Sequence, residues 1–111
     1  MKKLILVAAL FTTSAYAEFW DGNKLLNHIK AESLYRQGMA LGYIMGVHDT
    51  MQEINHCPPP NAQAGQKLDM VENYLNNVPA QRHKAADVLV LHVLKTAFPC
   101  ANNNRRGGTN L

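Results

Sequence analysis

The sequence predicts an all-α fold, a compact bundle of about four helices closed by one disulfide. Two patterns and one count carry that expectation. Apolar residues recur at steps of three and four along four separate segments, the spacing of one face of a helix. Between those segments stand helix breakers: Asp21-Gly22-Asn23, the run Pro58-Pro59-Pro60, and Val78-Pro79. The count is of cysteines, for the 111 residues contain two, Cys57 and Cys100.

The chain opens with Met1-Lys2-Lys3, an apolar stretch from Leu4 to Phe11, and the small-residue pattern Ala15-Tyr16-Ala17. A basic start, a short apolar middle and an A-x-A site predict a signal peptide over residues 1–17, cleaved before Glu18. A membrane anchor needs roughly 18 apolar residues, and Thr12 and Thr13 interrupt this run far short of that. The mature chain is therefore expected to be exported to a bacterial periplasm, with no membrane span. An exported chain with an even cysteine count pairs them in an oxidising compartment, so Cys57 and Cys100 are expected to form the disulfide.

Cleavage also changes the charge. The formal +3 of the whole chain falls to +1 without Lys2 and Lys3, and Arg105 and Arg106 sit in a polar tail. Residues 18–100 then hold seven Lys and Arg against eight Asp and Glu. The basic character belongs to the two ends, and no basic face for nucleic acid is expected.

After the Asp21-Gly22-Asn23 turn, a first helix is expected over Lys24–Lys30, with Leu25, Leu26 and Ile29 inward. A second and longest helix is expected over Glu32–Asn55, with Leu34, Tyr35, Ala40, Tyr43, Ile44, Val47, Met51 and Ile54 along one side. The prolines after Cys57 end it. The third spans Ala64–Asn77, with Leu68, Val71, Tyr74 and Leu75 inside. The fourth spans Ala80–Phe98, with Ala85, Ala86, Leu89, Val90, Val93, Leu94 and Ala97 inside. Val88-Leu89-Val90-Leu91 has the composition of a strand, but the apolar stripe around it is far longer than the roughly 4–8 residues of a buried strand. Residues 101–111, rich in asparagine and glycine, lack the apolar content to order themselves. The domain is accordingly residues 18–100.

Gly38, Gly42 and Gly46 stand four apart in the second helix and share one side of it. Each costs about 1 kcal/mol of helix stability relative to alanine, so a close helix neighbour is expected to offset them. That neighbour is a helix of this domain or of a second copy, the first being favoured. Asp49 lies just beyond the strip; it either joins a partly buried network with Arg82 and His83 or faces water. His48 and His56 are eight apart, which is not the pair spacing of a zinc site. No metal or cofactor is expected. The mature chain has one serine, Ser33, in a helical context, and no nucleophile elbow. The reading is of a protein that is not an enzyme.

Taken in order, Gly42-Tyr43-x-x-Gly46-x-x-Asp49, Cys57-Pro58-Pro59, Gln66-x-x-Asp69-x-Val71-x-x-Tyr74-Leu75, Pro79-x-x-Arg82-His83-x-x-Ala86, Leu89-Val90 and Ala97-Phe98-Pro99-Cys100 resemble the Rap/Tai immunity proteins of type VI secretion. The resemblance implies a small periplasmic helical protein, often a homodimer, that binds a peptidoglycan amidase effector and occludes its active site without catalysis. The chain departs from that pattern in having no further cysteine before Gly38 and in its long polar tail. The matching positions are structural in character, so partner contacts are expected instead in the connections His56–Gln63 and Asn76–His83, at Asn61, Asn77 and Gln81. The alternative readings are an acid-stress periplasmic chaperone of the Hde type, for which the five histidines speak, and a phage-related exported interaction protein.

Overall fold

A computed structural model describes residues 19–101 of the chain. The expected signal segment with its cleavage site, and the tail beyond Ala101, lie outside the described residues. Four α-helices follow one another: α1 (Gly22–Ile29), α2 (Leu34–Met51), α3 (Ala64–Asn77) and α4 (Ala86–Ala97), with a 3-10 turn at Pro79–Gln81 before the last. Among the described residues there is no strand, only two isolated bridges. Every helix packs against the other three.

The core is built from Leu25, Leu26 and Ile29 of α1, Ala40 and Ile44 of α2, Val71 and Leu75 of α3, and Leu89, Val90, Val93 and Leu94 of α4. Burying each large aliphatic side chain contributes about 1.5–3 kcal/mol. Cys57 and Cys100 are bonded, with Cα atoms 4.8 Å apart, and the Cys57 N–H donates to the Phe98 carbonyl at 2.8 Å. The staple thus joins the turn after α2 to the end of α4.

The start of α1 explains why α4 is shorter than expected. The first N–H groups of a helix have no partner within it. Here Asp21 caps the Lys24 N–H through its carboxylate at 2.8 Å, the Gly22 N–H donates to the Lys84 carbonyl and the Asn23 N–H to the Arg82 carbonyl, both at 3.0 Å. Serving as acceptors for α1 turns residues 82–85 out of helical geometry, so the expected fourth helix divides into the Pro79–Gln81 turn and α4. In return the Ala86 N–H finds the Trp20 carbonyl at 2.8 Å, and Ala85 points outward. A side chain at Gly22 has no room: its Cβ would lie 2.6 Å from Leu89 Cδ1 and 2.9 Å from the Arg82 carbonyl oxygen.

Helix α2 also ends early, at Met51 instead of Asn55. Gln52 is extended, Glu53 takes φ of 69°, and the Glu53 N–H donates to the His56 carbonyl at 2.7 Å. The chain reverses here because His56 turns inward, fully buried, to meet His48. The inward stripe of α2 is correspondingly narrower than expected, consisting of Ala40, Ile44 and His48. Leu34, Tyr35 and Ile54 are exposed, as is Ala97 of α4.

Candidate functional site

Two opposite faces of α2 carry the features that bear on function. The outer face is open. Gly38, Gly42 and Gly46 are exposed, and a Cβ at any of them would meet nothing within 4 Å. This corrects the expectation that a neighbouring helix of the same domain covers the strip: the buried stripe at Ala40, Ile44 and His48 lies on the other side of the helix, and there all three other helices pack. Beside the strip, Tyr43, Val47 and Met51 of α2 face Asp87 and Leu91 of α4 across a groove of about 630 Å³. Burial first, and the Asp87 carboxylate second, push the Tyr43 hydroxyl above the ordinary tyrosine value of 10.0. Exposed Tyr35, Met39 and Val88 extend the apolar surface.

The inner face ends in a buried polar chain. Lys67 Nζ lies 3.3 Å from His48 Nε2, His48 Nδ1 lies 2.8 Å from His56 Nε2, and His56 Nδ1 lies 3.1 Å from Asn55 Oδ1. His48, His56 and Lys67 are 5%, 0% and 4% exposed. Burial is the chief reason that both imidazoles are held below their ordinary value of 6.5; after it come the Lys67 charge for His48, and His48 itself for His56. The signal for this cluster was present in the stripes. Ala40, Ile44 and His48 step by four along α2, as do Lys67, Val71 and Leu75 along α3. A histidine and a lysine in register with core positions mark polar groups turned inward.

Histidines whose pKa is lowered by folding destabilise the fold in acid, because the unfolded chain binds protons that the folded chain refuses. The expected result is stability fully present above about pH 6.5 and falling as pH drops below it, read as a lower urea midpoint at pH 5 than at pH 7.5.

The expected network of Asp49 with Arg82 and His83 is not formed. The Asp49 side chain is 68% exposed, with Oδ1 lying 4.0 Å from Nε2 of the His48 ring. Arg82 sits at the other end of α3, where its Nη1 donates to the Leu75 carbonyl at 3.3 Å, and His83 is exposed. The two connections expected to hold partner contacts are likewise separate. Asn61 precedes α3 and Asn77 ends it, so about 21 Å of helix at 1.5 Å per residue divides them. Both are exposed; Asn77 Nδ2 donates to the Asn73 carbonyl at 2.7 Å. Gln81 is half-buried, and its Oε1 has no hydrogen-bond partner in the protein.

Residues 21–100, from the N-cap of α1 to the second cysteine of the staple, match the family of Rap1a immunity proteins. The chain belongs to that family. A search of curated proteins found no match. Membership in an immunity family implies a partner effector protein. In this Rap1a-family chain no helix among the described residues is long and apolar enough to cross a membrane.

Proposed function

We propose that this Rap1a-family protein is a periplasmic immunity protein, exported with cleavage before Glu18, that binds a cognate peptidoglycan amidase effector of type VI secretion and occludes its active site without catalysis. The observation that carries the reading is the family match, which runs through the whole stapled bundle. Short connections anchored at both ends by packed helices suit occlusion, since less ordering entropy is lost when they dock. The mature chain with its disulfide intact, presented to a panel of secreted peptidoglycan amidases, should capture one of them stoichiometrically and abolish its activity. Failure to bind or inhibit any amidase would overturn the reading. Because Asn77 and Gln81 are close in sequence while Asn61 lies at the far end of α3, Asn77→Trp and Gln81→Trp are expected to weaken capture together, and Asn61→Trp to report on the other connection alone.

The protein also acts as a homodimer in this proposal, through the open face of α2. That face is nearly symmetric about Gly42: Gly38 mirrors Gly46, Met39 mirrors Met45, and Tyr35 stands seven residues before Gly42 as Asp49 stands seven after. Positions three, four and seven away share one side of a helix. Two copies of α2 crossing antiparallel at Gly42 would bring glycine strips together and set each Tyr35 hydroxyl towards the partner's Asp49, a self-complementary two-fold contact. Gly42→Leu should convert a dimer to a monomer in sedimentation without lowering the thermal midpoint of the monomer, since a Cβ at this position meets nothing within 4 Å and the longer side chain has the open groove to enter.

A further inference from the structure

The buried chain of Lys67, His48, His56 and Asn55 has a direction. An ammonium can only donate, so His48 Nε2, 3.3 Å from Lys67 Nζ, must offer its lone pair. The hydrogen of neutral His48 then resides on Nδ1 and is donated to His56 Nε2 at 2.8 Å. His56 in turn keeps its hydrogen on Nδ1 and donates it to Asn55 Oδ1 at 3.1 Å. Lys67 also donates to the Ala62 carbonyl at 3.4 Å, which ties in the far side of the same connection. All four imidazole nitrogens are satisfied when both rings are neutral and both are the Nδ1–H tautomer.

No further proton fits. Protonated His48 would point Nε2–H at the Lys67 ammonium, and protonated His56 would set two N–H groups head to head across 2.8 Å. The groups acting on the pair are Lys67 from α3, Asp49 from α2 and Glu53 from the turn. The two carboxylates favour protonation, but both residues are exposed and water screens them. We propose that the Lys67–His48–His56–Asn55 chain is an acid-sensitive latch, holding the turn Gln52–His56 against the adjoining ends of α2 and α3 at neutral pH and expelling it on acidification. Glu53, already at φ of 69°, has no helical hydrogen bond to retain it once His56 leaves. The disulfide keeps Cys57 in place, so the opening stays local to the turn. It touches the His56–Gln63 connection at its first residue, His56, and a resulting weakening of effector binding in acid rests on the partner-contact reading above.

The test is an imidazole and backbone 15N NMR titration of the mature, disulfide-bonded chain, residues 18–111, from pH 7.5 to 4.5, with no effector present. Expected are two Nδ1–H rings at pH 7.5, titration of both below the ordinary histidine value, and amide shifts of Glu53, Ile54, Asn55 and Cys57 at the same midpoint. An Nε2–H tautomer on either ring at pH 7.5, titration in the ordinary range, or turn amides that stay still would overturn the latch. Lys67→Met removes the opposing cation and should raise the midpoint of His48, and to a lesser extent that of His56; unmoved midpoints would also overturn it. Amidase binding at pH 7.5 and 5.5 separates the two readings. A turn that opens while amidase affinity stays constant refutes the link to the partner, whereas rings that titrate ordinarily refute the latch.

Discussion

Replacing both Cys57 and Cys100 with serine should lower the unfolding free energy by about 4 kcal/mol, the largest loss expected from changing one interaction in this molecule. The figure follows from loop closure: the bond joins residues 43 apart, and cross-linking such a loop removes roughly 13 cal/mol/K from the unfolded chain. A domain of roughly 80 residues has a total stability of about 4–12 kcal/mol, so the change removes a third or more of it. The folded contacts around the bond survive, since the Cys57 N–H still reaches the Phe98 carbonyl. The effect therefore resides mainly in the unfolded state. Urea denaturation followed by circular dichroism, oxidised wild type against the double serine variant, reads it directly. A loss under about 1 kcal/mol would mean that the unfolded chain already keeps these segments together.

Gly22→Val is the second large effect, with an expected loss of roughly 3 kcal/mol. The Cβ would approach Leu89 Cδ1 at 2.6 Å, the Arg82 carbonyl oxygen at 2.9 Å and Arg82 Cα at 3.0 Å. Leu89 has some freedom, but the Arg82 backbone does not, because its carbonyl accepts the Asn23 N–H and its guanidinium holds the end of α3. Moving it would undo the docking of α1 on residues 82–84. Trp20, the sole tryptophan, stacks on Tyr43 with ring centroids 5.1 Å apart and supplies its carbonyl to α4. Its fluorescence in a thermal scan should report the loosening as a midpoint lowered by several degrees. At Gly42 a larger side chain, leucine, costs the monomer little because that glycine faces open space.

Helix α3 was legible to the residue, Ala64–Asn77, because its start after the proline run and its stop at Val78-Pro79 are both set by local chemistry. The ends of α2 and α4 were not. Nothing local forbids a helix through Asn55 or from Ala80; α2 yields to the burial of His56, and residues 82–85 yield to the orphan N–H groups of α1. The disulfide was legible from compartment and count. The direction of the glycine strip was not, since glycine spacing marks a face without saying what lies beyond it. His48 and His56 were set aside because eight residues is the wrong spacing for a shared metal, yet the turn between them brings their rings to 2.8 Å. A partner at that separation requires the chain to reverse, which helical periodicity does not encode.

The sequence by itself determined the number of helices, the inward apolar residues of α1 and α3, the staple and the family motifs, since each rests on spacing along the chain or on the properties of single residues. Tertiary structure alone decided where α2 and α4 end, which side of α2 stays open, and that a lysine and two histidines share one buried chain. Those outcomes depend on which backbone and side-chain groups find partners from distant segments, and an unpartnered polar group in the interior costs enough to override local helix preference.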